Sequence, residues 1–288
     1  MLSLSAAPDW DVTAAGSLSH RVLRLYEQLR AQSDLAPSPV VNALFADLVD
    51  ACVHADAEDV PSVLSDPRIT GVRSDLIRLC AQGESLLENA WARRVLAADH
   101  PGAETAEFPY LGNYEQLARL ELHALAGAGH RPETTRRLCF VGGGPLPLSA
   151  ILLYRALGIR VTVVDRDREA VELSRRLVDR LVPAEQISVV LADAASPSDI
   201  ARAVADCDVV VVAALVGPTR AQKRAALRAI GRSVEPGTHV LIRSADGLRT
   251  LLYPTVDISD VQDAGLAPEL LLHPLGEVVN SVLVTRRR

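Results

Sequence analysis

The sequence is poor in aromatic residues, in excess positive charge and in long apolar runs. Phe, Trp and Tyr make up 3% of its 288 residues, so Leu, Val, Ile and Ala must build the hydrophobic core. The formal net charge is −6, which argues against nucleic-acid binding because such proteins need a basic surface. The apolar run from Val209 to Val216 is far shorter than the roughly 20 residues that cross a bilayer. We therefore expect neither a nucleic-acid partner nor a membrane span.

Metal-ligand spacings, a disulfide framework and a signal peptide are also missing. The four cysteines lie far apart, and none of them belongs to a C-x-x-C motif. The seven histidines show no ligand spacing either. Residues 1–12 lack the basic region followed by an apolar region that marks a signal peptide. These features predict a cytoplasmic protein with reduced thiols and no bound metal.

The spacing of apolar residues divides the chain into two halves. In the first half apolar positions recur every three to four residues, and Val22, Tyr26 and Leu29 lie on one such helix face. Longer helices are expected over 41–53, 73–98 and 114–126. From residue 137 onward, short and uniformly apolar runs alternate with helical segments, which is typical of strands buried on both faces by crossover helices.

The predicted fold class is therefore α/β, with a Rossmann-type, class I methyltransferase-like parallel sheet and an all-helical N-terminal domain. We place the helical domain at 1–130 and the Rossmann-type, ligand-binding domain at 131–288. The expected strands are 138–141, 161–164, 187–191, 209–212 and 239–242, and the expected helices between them are 147–157, 168–181 and 220–233. An antiparallel pair at 270–272 and 281–285 would close the sheet. The helical domain should cap the carboxyl edge of the sheet, where open α/β folds bind ligands, and exclude water there.

Three consecutive glycines follow the first predicted strand. Gly142, Gly143 and Gly144 stand where a strand gives way to a helix, so backbone N–H groups and the helix N-terminus face a ligand. Pro147 stands where the dinucleotide fingerprint has its third glycine. A proline suits the start of a helix but not the close packing of that glycine. The turn therefore favours a nucleoside without a pyrophosphate, such as S-adenosylmethionine (SAM), over a dinucleotide.

Two acidic residues end the second and third predicted strands. Asp165 lies 23 residues after Gly142, near the roughly 20 expected for a carboxylate that accepts from ribose hydroxyls. Asp193 closes the third strand, where it can meet the adenine amino group. Together with the glycine turn, these acids predict a nucleoside site. The complete predicted SAM-binding set is Gly142, Gly143, Gly144, Pro145, Leu146, Asp165, Asp193, Ala194, Ala213 and Leu215.

Several segments resemble the nicotianamine synthase family. The segment from Phe140 to Leu148 is similar to that family's cofactor loop almost residue for residue. The segments 38–45, 79–88, 108–121, 212–215 and 243–253 resemble further blocks, and the likeness extends over about residues 20–285. Leu111 and Gly112 depart from the family, which usually has another aromatic and a polar residue there. This departure bears on the acceptor substrate more than on SAM.

The resemblance implies an unusual use of SAM. The sulfonium has three carbons open to attack, and methyltransferases direct a nucleophile to the methyl group. The nicotianamine synthase family directs an amine to the γ-carbon of the aminobutyryl (3-amino-3-carboxypropyl) arm, which releases 5′-methylthioadenosine (MTA). Because the leaving sulfur is activated in both reactions, positioning alone separates the two outcomes. We therefore expect SAM as a substrate, no metal, and an amino-acid-type amine or a second SAM as the acceptor.

The resemblance also assigns roles to residues of both halves. Glu84 and Glu88 are spaced i, i+4 and share a helix face, a spacing that by itself favours a solvated face. Glu88 matches the family's catalytic glutamate, which would attract an ammonium group and take its proton. Tyr114 matches the family tyrosine that holds the amine or carboxylate of the substrate. The expected substrate-binding residues are Glu84, Tyr110, Arg243 and Arg249, the arginines through bidentate contacts to carboxylates.

Three other functions remain open at this point. The α-amine of SAM could attack its own γ-carbon and give azetidine-2-carboxylate. Ordinary methyl transfer would give S-adenosylhomocysteine. The chain could also be an inactive SAM-binding scaffold, although Glu88 and Tyr114 argue against this because a scaffold needs no base. The sequence does not determine the acceptor, the number of transferred units, or whether the chain forms a homodimer.

Overall fold

The computed structural model describes residues 14–288, and its first half is helical. The signal-peptide expectation concerns residues 1–12, which lie outside the described residues. The helices of this half are α1 (Ala14–Arg30), α2 (Pro39–Val53), α3 (Val60–Ser65), α4 (Pro67–Ala97), α5 (Pro101–Ala106) and α6 (Leu111–Gly127).

Capping residues explain where two of these helices begin. The Ser38 side chain accepts a hydrogen bond from the Val41 N–H, and Pro39 occupies the first turn of α2, as the sequence indicates. Asp66 caps α4 in the same way, with Pro67 behind it. This cap starts α4 six residues before the predicted start at Arg73. The resulting helix has 31 residues and carries both Glu84 and Glu88.

The second half is a seven-stranded sheet with helices on both faces. The strands are β1 (Arg137–Val141), β2 (Arg160–Asp165), β3 (Ile187–Leu191), β4 (Val209–Val212), β5 (His239–Ser244), β6 (Leu266–Leu272) and β7 (Ser281–Arg287). The helices are α7 (Leu148–Leu157), α8 (Arg168–Leu181), α9 (Pro197–Val204), α10 (Arg220–Ser233) and α11 (Ile258–Asp263). The strand order is β3-β2-β1-β4-β5-β7-β6, with β7 antiparallel to both of its neighbours. The predicted α/β class and the closing antiparallel pair are confirmed.

The register of the sheet brings the predicted site residues to one edge. Val141 pairs with Val164 of β2 and with Val212 of β4, and Val212 pairs in turn with Ile242 of β5. These four strands therefore end level, so that the residues following each of them lie side by side. The chain order reverses between β1 and β4, which makes this edge the topological switch point where open α/β sheets bind ligands.

Aliphatic side chains form the cores, as the scarcity of aromatics predicts. One core joins the sheet to α6, α7 and α8, and another joins its opposite face to α9, α10 and α11. A third core lies among the N-terminal helices and includes Leu248 and Leu251 of the turn after β5. A smaller fourth core contains Trp91 and Phe108 and joins α4 to α8. Since these cores tie the helical half to the sheet, the division at residue 130 remains a prediction.

No described helix is both long and apolar enough to cross a membrane.

Candidate active site

A cavity of about 610 Å³ opens over the carboxyl ends of the parallel strands. Every residue of the predicted SAM-binding set lines it, from the glycine turn after β1 to the segment after β4. Glu84 and Glu88 of α4 and Tyr114 of α6 line the same cavity. The structure therefore places the glycine turn and the paired glutamates, which come from different halves of the sequence, around a single space.

The glycine turn is shaped by two left-handed residues. Gly142 has φ +87 and Gly144 has φ +65, a region that residues with a Cβ rarely adopt. A Cβ added at Gly144 would lie 2.5 Å from Oε2 of Glu88, and one at Gly142 would lie 2.5 Å from Cγ2 of Val216. Glycine is thus required here because α4 and the segment after β4 both approach the turn closely.

The backbone orients the two predicted acids. Asp165 accepts hydrogen bonds from the Gly144 N–H at 2.8 Å and from the Asp167 N–H at 2.9 Å. Asp193 is exposed and accepts from the Ala195 N–H at 2.9 Å. Both carboxylates keep further lone pairs, which can accept from the hydroxyl and amino groups of a nucleoside.

Glu88, which is buried, and Tyr114, which is half-buried, form an acid–phenol pair. The Tyr114 hydroxyl donates to Oε1 of Glu88 at 2.7 Å, and Glu88 is only 9% exposed. Burial raises the pKa of Glu88 well above its usual value, and the nearby Glu84 raises it further, whereas the hydrogen bond from Tyr114 opposes the shift. These effects favour the protonated acid, and a cation bound at Glu88 would favour the carboxylate.

A second pair of the same kind lies one helical turn away. The Tyr253 hydroxyl donates to Oε2 of Glu84 at 2.8 Å, and both residues line the cavity. Burial raises the pKa of Glu84, while the hydrogen bond from Tyr253 and the charge of Arg243 oppose the increase. Glu84 was predicted from the sequence as a substrate-binding residue, but Tyr253 was not.

Arg243 lines the cavity, but a protein carboxylate occupies one edge of its guanidinium. Its Nε donates to Oε1 of Glu121 at 2.7 Å, and its Nη2 donates to Oε2 of Glu121 at 3.3 Å and to Ser149 at 2.9 Å. Glu121 is fully buried. Nη1 has no hydrogen-bond partner among the described residues, so this group alone is left to contact a substrate carboxylate.

Two of the predicted substrate-binding residues lie outside the cavity wall. Tyr110 packs against Phe108, with ring centroids 6.0 Å apart, and Phe108 in turn contacts Tyr114. Arg249 donates from Nη2 to the Gly276 carbonyl at 2.8 Å. Tyr110 thus packs on Phe108, which in turn packs on Tyr114. Arg249 is bound to the segment before β7.

Other residues of the site could not be found by spacing. Asn280 is buried and lines the cavity, although it comes from the loop before β7. Lys223 is the only lysine of the chain and is buried, donating to the carbonyls of Ala213 at 3.4 Å and Ala214 at 2.7 Å. These hydrogen bonds connect α10 to the segment that follows β4. Tyr253 falls in one of the segments that resemble the family, and this was its only signal.

Among residues 14–288, no group of three or more His, Cys, Asp or Glu side chains is arranged to hold a metal ion.

Known proteins are similar to this chain in both sequence and fold. The family model described as "Nicotianamine synthase protein" matches residues 13–288. The chain belongs to the nicotianamine synthase family. Nicotianamine synthase 3 of Oryza sativa subsp. indica is 37% identical over 256 residues, covering 88% of this chain and 73% of the rice protein. Nicotianamine synthase of Solanum lycopersicum is 33% identical over 270 residues, covering 93% and 82%.

Solved structures of a nicotianamine synthase extend this likeness to the whole fold. MtNAS in complex with MTA and tNA superposes with a TM-score of 0.79 at 27% identity, covering 99% of this chain and 100% of MtNAS. A Glu→Gln mutant of MtNAS in complex with SAM superposes with a TM-score of 0.78 at 26% identity, covering 93% and 97%. The family resemblance inferred from the sequence is therefore confirmed.

Proposed function

We propose that this nicotianamine synthase family member transfers the aminobutyryl group of SAM to an amine and releases MTA. The observation that carries the proposal is the position of the Glu88–Tyr114 pair directly against the glycine turn. Oε2 of Glu88 is in contact range of Gly144, while Oε1 accepts from Tyr114. A proton acceptor thus lies beside the predicted SAM site. Neither methyl transfer to a neutral nucleophile nor simple SAM binding would require such a group.

SAM fits the chemistry of the cavity as the donor. The glycine turn, Asp165 and Asp193 would hold its adenosine. This chain has the fold of MtNAS, which was crystallised with SAM and with MTA, and that likeness supports the assignment. The aminobutyryl arm then extends towards α4. Arg166 and Arg243 are the cationic side chains of the cavity wall, and we assign Nη1 of Arg243 to a substrate carboxylate.

Glu88 would accept the proton that the acceptor amine must lose. An ammonium group bound between Glu88 and Tyr114 lowers the pKa of the carboxyl, so that Glu88 releases its proton to the solvent as the acceptor arrives. Transfer of a proton to Glu88 frees the nitrogen lone pair. The nitrogen attacks the γ-carbon, a C–N bond forms, the C–S bond breaks, and its electron pair stays on sulfur as neutral MTA.

Product analysis tests this function. The purified protein is incubated with SAM alone and with amino-acid acceptors, and the products are identified by mass spectrometry. We expect MTA together with a product that carries at least one aminobutyryl unit. S-adenosylhomocysteine as the sole product would mean methyl transfer, and the absence of turnover with every acceptor would favour a scaffold.

The variant Glu88→Gln tests the proton acceptor. The amide keeps the shape of the side chain but cannot take a proton, so we expect MTA release to fall by about 10²-fold or more. SAM binding, measured by calorimetry, should persist because Glu88 contacts the acceptor. Glu115→Gln, an exposed change on α6, is the matched control and should keep full activity. Wild-type turnover by Glu88→Gln would remove Glu88 from the mechanism.

We also propose a cytoplasmic location, with which the four unpaired cysteines agree. We propose an amino-acid-type amine or a second SAM as the acceptor. We also propose that the chain can function as a homodimer.

A further inference from the structure

Two acid–phenol pairs face one cavity, and the proposed reaction uses only one of them. Glu84–Tyr253 and Glu88–Tyr114 have nearly equal hydrogen-bond lengths, 2.8 Å and 2.7 Å. Both glutamates stand on the same face of α4, and both tyrosines come from other elements. An acid held by a phenol in this way is suited to an ammonium ligand, because the phenol stabilises the carboxylate while leaving lone pairs for the ligand.

The spacing of the two acids matches two nitrogens of the proposed transition state. Residues at i and i+4 on a helix place their Cβ atoms about 5–6 Å apart. When an amine attacks the γ-carbon of SAM, three carbons separate its nitrogen from the α-nitrogen of the aminobutyryl arm. Four bonds of about 1.5 Å place these nitrogens about 5 Å apart in an extended arm. One carboxylate can therefore meet each nitrogen.

We propose that Glu84 and Tyr253 bind the α-ammonium group of SAM, while Glu88 and Tyr114 bind the attacking amine. This inference rests on the proposed aminobutyryl transfer and adds specificity-determining residues to it. The opposite assignment fits less well, because Glu88, not Glu84, contacts the glycine turn where the sulfur-bearing end of SAM must lie. The γ-carbon adjoins the sulfur, so the attacking nitrogen belongs at Glu88 and the more distant α-nitrogen at Glu84.

The assignment explains how the site would suppress cyclisation. In that side reaction the α-nitrogen must first lose a proton. It then attacks its own γ-carbon, the C–S bond breaks, and azetidine-2-carboxylate and MTA result. A carboxylate at Glu84 keeps the α-nitrogen protonated, and a protonated nitrogen has no lone pair for attack. Glu84 would thus decide between intermolecular transfer and ring closure.

The surroundings of Glu84 support an anion once a cation is bound. Tyr253 donates to its Oε2, and the positive charge of Arg243 favours the ionised form. Burial alone favours the neutral acid, so the carboxylate forms when the ammonium group enters. The two acids also disfavour each other's ionisation, and two bound nitrogens would remove this repulsion.

The product ratio of two variants tests the proposal. Tyr253→Phe removes only the hydroxyl, and Glu84→Gln removes the charge. We expect the ratio of azetidine-2-carboxylate to aminobutyryl product to rise about tenfold or more in both variants, because a hydrogen bond to a charged group is lost. Tyr26→Phe is the matched control. The Tyr26 hydroxyl donates a 2.9 Å hydrogen bond to Asp75, and neither residue lines the cavity. Its product ratio should equal that of the wild type.

A binding measurement on the wild-type protein provides a second test. The desamino analogue of SAM, in which hydrogen replaces the α-amino group, should bind about tenfold more weakly than SAM by calorimetry. In Tyr253→Phe this difference should shrink. Equal binding of SAM and the analogue, or an unchanged product ratio in variants that still release MTA, would overturn the assignment and leave the proposed function intact. A wild-type protein that forms no aminobutyryl product would instead contradict the proposed function itself.

Discussion

Gly144 is the residue at which the two halves of the site meet. Its N–H donates to Asp165 of the SAM side, and its α-carbon faces Glu88 of the acceptor side. Its φ of +65 lets the chain turn between these two contacts. A single residue therefore sets the distance between the proposed donor and the proton acceptor.

The substitution Gly144→Ala should cost much more activity than stability. Its Cβ would lie 2.5 Å from Oε2 of Glu88, which must then move away from the reacting amine. We expect turnover to fall on the order of 10²-fold, as a misplacement of about 1 Å can cause. Gly158→Ala is the matched control, because Gly158 has φ +66 and open space around it. Both variants place a Cβ at a residue with positive φ, so they share the backbone strain. Equal steady-state rates of MTA release would therefore show that the contact between residue 144 and Glu88 does not affect turnover.

At the scale of elements, α4 joins the two substrates' binding groups to the rest of the protein. Its first half packs through Leu76 and Leu79 in the N-terminal core, and its second half packs through Ala92 and Val95 against α8. Glu84 and Glu88 lie between these anchors. Packing on both sides fixes the rotation of the helix, which holds both carboxyl groups towards the cavity.

A pH dependence belongs to α10 and the segment that it supports. Burial lowers the pKa of Lys223 to about 7, whereas an unfolded lysine titrates near 10.5. Between these values the unfolded chain binds more protons, so the contribution of Lys223 to the free energy of unfolding rises with pH. Below pH 7 both states are charged and this contribution is at its lowest.

Urea unfolding of the wild type and of Lys223→Met between pH 6 and pH 9.5 measures this effect. The difference in unfolding free energy, wild type minus variant, should be flat below about pH 7 and then rise by at most about 1.4 kcal/mol per pH unit. No other lysine is present to complicate the titration. A difference that stays constant over the whole range would show that Lys223 keeps an ordinary pKa in the folded protein.

How far the sequence predicts these elements depends on how local their causes are. Strands β3 and β4 and helices α8 and α10 begin and end where the apolar runs and capping residues place them. Helices α9 and α11 have only eight and six residues, too few for their period to be recognised. Asp165 was predicted because it ends a strand and lies 23 residues after Gly142. Asn280 reaches the cavity only through the pairing of β7 with β5, which no local pattern contains.

At the scale of the whole molecule, a buried ion pair joins the helical half to the sheet. Glu121 of α6 and Arg243 of β5 are both buried, and Phe140 of β1 lies 5.1 Å from the guanidinium. Removing one partner of such a pair leaves the other charge without compensation in a medium of low polarity. The pair therefore matters for the docking of α6, which also carries Tyr114.

Glu121→Gln should destabilise the protein by about 3–5 kcal/mol, measured by chemical unfolding, because Arg243 loses its counter-charge. Asp206→Asn breaks the exposed pair with Arg137 and should cost less than about 1 kcal/mol. Similar losses for the two variants would show that the Glu121–Arg243 pair is no more important than a surface contact.

The burial of the only lysine has a consequence for chemical labelling. Reagents that acylate amines find one side-chain target in the whole chain, and in the folded protein that amine lies beneath the segment after β4. Its labelling rate therefore reports how often this segment lifts from the body of the protein. Because the same segment walls the cavity, a ligand that fills the cavity should protect Lys223 from the reagent. The labelling rate of this one residue thus measures how often the site opens, without any introduced probe.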